Sequence, residues 1–227
     1  MNHLYLTILL LICINLFGYA YSYLIVTSKI GLNRQIQPKS TRNKEYLFDH
    51  TPLFVINVLT LMLFVFIGFY FFKDFIIDAD IDVTFFNLIF PLFVILIFDD
   101  TFFYFLHRFM HENKYIYKKI HKIHHRANSP IPIDYIYVHP IEWMSGFIGP
   151  FIGILLLGGV SIYTFWLYFI IRNLHELDIH SGLKSSFLNR SFPFSGTNEH
   201  HDLHHAKRNG NYASTFTFWD SLFKTRL

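Results

Sequence analysis

Of the 14 histidines in this 227-residue chain, 12 lie between His107 and His205, and eight of those fall in three spaced clusters. The first cluster is His107-Arg108-Phe109-Met110-His111 and the second is His121-Lys122-Ile123-His124-His125. The third is His201-Asp202-Leu203-His204-His205, with His200 directly before it. Spacings of three and four put side chains on one face of a helix, so each cluster can aim two or three imidazoles at a common point. Imidazole is the commonest protein metal ligand, and neutral nitrogen donors suit iron, zinc, copper or nickel. Eight imidazoles exceed what one tetrahedral ion uses, so two metals sharing a site is the economical reading. A lone histidine is more often a hydrogen-bonded core residue, and a histidine-rich tract is usually a compositional run. Three clusters with recurring spacing fit neither description.

The remaining histidines are less clear. His139 lies in Val138-His139-Pro140-Ile141-Glu142, where proline interrupts a helix and Glu142 can accept a hydrogen bond that orients an imidazole; ligand and orienting roles are both open for His139. His175 and His180 are five residues apart and do not share a helical face, so one of the two is expected to be a ligand. Glu176 lies four residues before His180, on its face. His3 and His50 sit near the ends of apolar runs and receive no role.

These clusters need a scaffold, and the composition says which solvent it lives in. The chain is 52% hydrophobic and 15% charged with mean hydropathy +0.33, against about 25% charged for soluble domains. Three stretches, Leu4 to Val26, Pro52 to Phe72 and Thr84 to Leu106, are long enough to cross a bilayer core of about 30 Å as helices. Asp99 and Asp100 near the end of the third must reach the interface or face a polar interior. Ala20 and Ser22 would suit signal-peptide cleavage of the first run, but it lacks a basic leader and Lys29 follows, so it is read as a span. A fourth apolar run, Gly146 to Ile171, is broken at Gly149-Pro150 and Gly158-Gly159. Because His107–His125 and His201–His205 must meet, this run has to leave and return on one side. A re-entrant or shallow helical hairpin turning near Gly158-Gly159 satisfies that. Residues 28–51 hold five Lys or Arg against two acids and residues 73–83 hold one against four, which puts the first loop and everything after Leu106 on the cytoplasmic side.

The expected fold is therefore all-α: an integral membrane protein with about three spanning helices, a re-entrant hairpin and a cytoplasmic, histidine-rich, metal-binding helical cap. Residues 1–98 read as the N-terminal transmembrane region and 99–227 as the catalytic region of a single structural unit. One cysteine, Cys13, excludes an internal disulfide, a Cys-based zinc finger and an iron–sulfur cluster. The net charge of +3 is spread over several loops, which argues against a nucleic-acid partner.

The three clusters resemble the histidine boxes of the fatty acid hydroxylase superfamily of membrane oxygenases and desaturases. Within it, His180-Ser181-Gly182, His200 to His205, Gly210 to Thr217, and Trp219-Asp220 with Leu222-Phe223 are similar to the C-terminal signature of the 4-methylsterol oxidases. Phe105 to Arg108, Ile116 to His125 and His139 to Glu142 fit as well, so the resemblance covers roughly residues 99–225. Two positions depart from it: His175 stands where an acidic residue is expected, and Lys224 where glycine is usual. The chain is also short for a sterol oxidase, mainly at its N-terminus.

The resemblance implies a non-haem di-iron centre that uses O2 and two external electrons to oxidise an unactivated C–H bond, most closely a sterol 4-methyl group taken stepwise to alcohol, aldehyde and acid. The implied metal ligands are His107, His111, His121, His124, His125, His180, His201, His204 and His205, with zinc an alternative occupant of an all-imidazole site. His139, His175, Glu176, His200, Glu142 and Asp202 are candidates for further ligands or for groups behind them, Asp202 and Glu142 as carboxylates that fix imidazole tautomers. Asp100, Asn211 and Asp220 are expected to serve packing or helix ends. No cytochrome-like segment is fused, so electrons are expected from a separate protein such as cytochrome b5 or an NAD(P)H-dependent reductase. The boxes specify the metal and not the lipid: a fatty acyl hydroxylase, or another sterol hydroxylase or desaturase, remains the alternative in the same class. A non-catalytic metal-binding membrane protein or transporter is the alternative of a different class. The first two apolar runs carry no charges to line a transport path. The implied location is the endoplasmic reticulum membrane in a eukaryote and the inner membrane in a bacterium.

Overall fold

A computed structural model describes residues 2–29, 32–37, 42–186 and 195–227; Lys39, one of the cations counted in the first loop, lies outside them. Among the described residues the structure is helical, with isolated bridges and no strand. Helix α1 (Asn2–Thr27) and α2 (Lys44–Phe71) are followed by the single turn α3 (Lys73–Ile76) and by α4 (Phe85–Glu112). The three long helices are apolar enough to cross a membrane, and the chain is a membrane protein. Leu59, Leu63 and Tyr70 on α2, and Phe86, Phe90 and Phe93 on α4, are largely exposed, as side chains bathed in lipid rather than water would be.

Local chemistry sets the helix limits. Asn43 caps α2 by accepting from Tyr46 N at 2.8 Å, so this helix begins eight residues before the apolar run that starts at Pro52. Thr84 caps α4 by accepting from Asn87 N. The helix then runs past Leu106 to Glu112, which puts His107 and His111 on its last two turns. Residue 98 falls inside α4, so the two sequence regions share one continuous element.

After the short α6 (Pro140–Ser145), the broken fourth run folds as α7 (Ile148–Leu156) and the first part of α8 (Ile162–Ile179), turning where Gly158 and Gly159 take φ of +75° and +105°. Only glycine accepts those angles without strain. The hairpin leaves and returns on one side as its breaks suggest, but it is not shallow. At its tip Asp78 N donates to Val160 O and Val160 N to Ile76 O, both at 3.0 Å, tying the turn to the segment between α2 and α4. The 18 residues of α8 rise about 27 Å and carry the chain back the depth of the bundle. Helix α7 lies flush on α4 because Gly149 and Gly153 present no side chain: a Cβ on Gly149 would sit 2.7 Å from Phe102 Cβ and 2.9 Å from Phe98 O. Leu11, Leu61, Ile95, Ile154, Phe165 and Phe169 fill the space between α1, α2, α4, α7 and α8.

The cap consists of α5 (Lys114–Lys119), 3₁₀ turns at His121–Arg126 and Pro132–Tyr135, α9 (Asn198–Lys207) and α10 (Phe218–Leu222). Of the two aspartates of α4, Asp99 ties that helix to α8 and Asp100 holds the cap to the bundle. Asp99 Oδ2 accepts from Arg172 Nε at 2.7 Å and Tyr168 OH at 3.0 Å, and Asp100 accepts from Thr215 N at 2.7 Å and Phe216 N at 3.1 Å. Both face a polar interior, as carboxylates in an apolar span must. Asp220 braces the cap internally, accepting from Tyr212 N, Ala213 N and Thr225 Oγ1.

Candidate metal centre

Four elements bring nine imidazoles to one place. His107, His111, His121, His125 and His204 form one group and His124, His180, His201 and His205 a second, with the prospective ligand atoms of each group within 4.8 Å of one another. The boxes are interlaced. In the second box His121 and His125, four apart, enter the first group while His124 crosses to the other; in the third box His201 and His205 enter the second group while His204 crosses back. Each group therefore draws on both ends of the cap, and neither can form until α9 docks against the 121–126 turn.

The tautomers are set from behind. His107 Nδ1 donates to Tyr212 O at 2.8 Å, His121 Nδ1 to Glu142 Oε1 at 2.7 Å, His180 Nδ1 to Glu176 O at 2.9 Å and His204 Nδ1 to Gly210 O at 2.7 Å. In each ring this leaves Nε2 without a proton and turned inward. His107 Nε2 and His121 Nε2 then stand 3.2 Å apart with nothing to share between them. Two bare lone pairs at that distance repel unless a cation lies between them. His204 Nε2 is likewise buried with no protein partner. Burial holds His121, His124, His125, His201, His204 and His205 below the ordinary imidazole range, with neighbouring imidazoles adding to the effect at most of them, so these rings are neutral as metal ligands must be.

The other candidates have different partners. His139 is half-buried and caps α6, its Nδ1 accepting from Ile141 N at 3.1 Å. His175 Nε2 faces Ser214 O at 3.3 Å and joins neither group. His200 packs behind the centre with Nε2 3.1 Å from Asp220 Oδ2. Glu142 orients His121, whereas Asp202 accepts from Gln37 Nε2 at 2.9 Å rather than from an imidazole. Glu176 Oε1 is held by Arg172 and Ser214, and its Oε2 lies 3.5 Å from His180 Nδ1. Arg172, which ties Asp99 to Glu176, was not singled out in the sequence. The available signal was opposite charges, Asp99 and Arg172, in or beside two apolar runs.

Beside the histidines a cavity of about 100 Å³ opens into the bundle. His107, His121, His124, His180 and His201 form its polar end, and Leu61, Phe103, Trp143, Phe147 and Phe169 its apolar walls. That is the form of a site for a mostly apolar molecule with one end at the metals.

The sequence profile of the fatty acid hydroxylase family matches residues 92–225, which spans all nine histidines. The chain belongs to the fatty acid hydroxylase family. Among curated proteins it is similar to methylsterol monooxygenase 1 of Rattus norvegicus, 44% identical over 128 residues, 56% of this chain and 43% of that protein. It is similar to methylsterol monooxygenase erg25B of Aspergillus fumigatus at 36% over 144 residues, 61% and 48% of the two chains. The likeness to methylsterol monooxygenase 1 of Danio rerio extends further, 33% over 213 residues, 92% of this chain and 71% of that one. The chain thus spans less than half of the first two relatives and about seven-tenths of the third. No solved structure matches it. One departure from the family pattern has a structural reading: Lys224, where glycine is usual, takes φ of +57°, a left-handed conformation that glycine adopts freely.

Proposed function

We propose that this fatty acid hydroxylase-family protein is a membrane-bound di-iron oxygenase that hydroxylates a lipid C–H bond, acting stepwise on a sterol 4-methyl group. The observation that carries the metal is the pair of bare nitrogens, His107 Nε2 and His121 Nε2, held 3.2 Å apart in a buried site. The neighbouring contacts, 2.9 Å for His111–His121, 3.0 Å for His121–His125 and 2.9 Å for His180–His201, crowd further ring nitrogens in the same way, as donors to a shared cation would be. The choice of iron over zinc rests on the oxygenase family to which the chain belongs. His107, His111, His121, His125 and His204 would hold one iron and His124, His180, His201 and His205 the other. Once bound, the irons supply O2 activation, in which two electrons and two protons convert a C–H bond and O2 to an alcohol and water.

The chain's own residues supply the rest. Glu142, Tyr212 O, Glu176 O and Gly210 O fix the rings, and the apolar walls around Phe103, Phe147 and Phe169 exclude water and take the lipid body. His139, His175 and His200 take no ligand role in this reading. Residues 99–227 carry the catalytic region and residues 1–98 seat it in the membrane. The loop charges favour a cytoplasmic centre, in the endoplasmic reticulum membrane of a eukaryote or the inner membrane of a bacterium.

Lipid profiling by mass spectrometry tests the substrate. A strain lacking its own 4-methylsterol oxidase is complemented with this chain or with its His204→Ala variant. Clearance of the accumulated 4-methylsterols by the unaltered chain alone is the expected result. If neither clears them, although the protein is expressed with iron bound and a competent reductase is present, the sterol substrate is wrong and acyl or other lipids are next.

A further inference from the structure

The two faces of the histidine cluster differ. The cavity reaches it from within the bundle, through His107, His121, His124, His180 and His201. His111, His125, His204 and His205 do not line that cavity. In the 121–126 turn the buried rings of His121, His124 and His125 alternate with exposed Lys122 and Arg126. Of the nine histidines only His111 is not fully buried. The half-buried ring of Tyr117 lies over it, its centroid 5.4 Å from that of His111 and 6.1 Å from those of His121 and His125. Lys118 and Lys119 follow Tyr117 on α5, exposed. Lys207 and Arg208, also exposed, end α9, and Arg208 Nη2 reaches over to His125 O at 3.4 Å and to Asn128 Oδ1. Glu112 is paired with Arg108 at 2.7 Å, and Asp202 accepts from Gln37.

We infer that this basic face, Lys118, Lys119, Lys122, Arg126, Lys207 and Arg208 around the Tyr117 ring, is the docking surface for an acidic, one-electron carrier protein that feeds the five-histidine group. The inference rests on the oxygenase reading, since each O2 consumed per hydroxylation requires two electrons, delivered one per carrier. Charge complementarity selects the partner: six exposed cations attract a surface of clustered carboxylates and speed encounter at low salt. Position selects the function, because Tyr117 within this face packs against the least buried histidine, His111, which does not line the cavity. Electrons and lipid therefore arrive at different histidines, and neither blocks the other.

The test uses the full chain in zwitterionic nanodiscs, with the soluble haem domain of cytochrome b5 as the probe. Oxidised probe is titrated against the metal-free protein, and reduced probe is mixed with the iron-loaded protein while haem absorbance is followed. Binding and electron transfer should both weaken as salt rises. The Lys118→Glu/Lys119→Glu/Lys122→Glu variant should lose at least tenfold in each at low salt, with iron content and reduction by dithionite unchanged. The milder Lys118→Gln/Lys119→Gln/Lys122→Gln variant should fall between, and it stands in if charge reversal prevents folding. Wild-type binding and transfer in both variants overturns the proposal. So does a loss seen only in anionic nanodiscs, which would make the face a lipid contact. A chain that takes iron but does not consume O2 even with dithionite counts against the oxygenase reading itself. Turnover on dithionite with no charge dependence removes only the docking face.

Discussion

Replacing Glu142 by alanine probes the centre without removing a ligand. Glu142 Oε1 lies 2.7 Å from His121 Nδ1, and the two side chains are 10% and 1% exposed. Alanine deletes a shielded hydrogen bond to a carboxylate, worth about 1.5–3 kcal/mol. At about 1.4 kcal/mol per decade this is roughly a ten- to hundredfold loss of metal affinity, and orienting groups behind metal-bound histidines elsewhere give about 10–100-fold. The Glu142→Gln variant keeps an acceptor oxygen and loses only the charge, so it should cost less, about threefold. The assay is anaerobic iron titration of metal-free protein against a competing chelator, resolving two equivalents per chain. The five-histidine equivalent should weaken progressively from wild type through Glu142→Gln to Glu142→Ala. His139→Ala, which alters only a helix cap, should bind as wild type does. If Glu142→Ala binds both equivalents with wild-type affinity, the ring orientation drawn for His121 is wrong.

Other perturbations separate scaffold from site. Gly149→Ala forces a Cβ to within 2.7 Å of Phe102 Cβ and should cost roughly 1–3 kcal/mol, read as a lowered melting temperature in detergent. Asp100→Ala orphans two half-buried backbone donors, Thr215 N and Phe216 N; it should cost roughly 1–3 kcal/mol and expose residues 195–227 to limited proteolysis, with Asp100→Asn milder. The six cap histidines titrate below their ordinary range when folded, so the unfolded chain takes up more protons as pH falls. Their contribution to stability should be complete above about pH 6.5 and decline below it by about 1.4 kcal/mol per pH unit per proton. Chemical denaturation of metal-free protein between pH 8 and 5 measures that slope, and a flat profile would refute it.

What the sequence shows here is what periodicity and solvent can encode. An unbroken run of twenty-odd apolar residues reads as a span, and the glycine pair at 158–159 marks a turn because other residues rarely reach positive φ. The depth of the hairpin was hidden: it depends on Val160 meeting Ile76 and Asp78, a pairing between distant segments with no local signal. Eight clustered histidines stand out by type and spacing and His180 only through the family resemblance, but the division of the nine into five and four does not. Spacings of three and four share a helical face, yet the packing of α9 on the 121–126 turn sends His124 and His204 across. Glu142 was legible as an orienting carboxylate from its place in His139-Pro140-Ile141-Glu142, although the proline there begins α6 where an interruption of a helix was expected. Asp202 was not legible as anything else, since its partner Gln37 is 165 positions away. Backbone carbonyls at Tyr212 and Gly210, which fix two rings, leave no trace in residue type.

The central claim is two metal ions in interlaced histidine groups, and metal counting in single variants tests it most directly. Iron per chain should be two in the wild type, one in His204→Ala and one in His205→Ala, and none in the double variant, although both substitutions fall in the same box and are adjacent in sequence. A wild-type content of one, or a double variant that still holds one, would contradict the account.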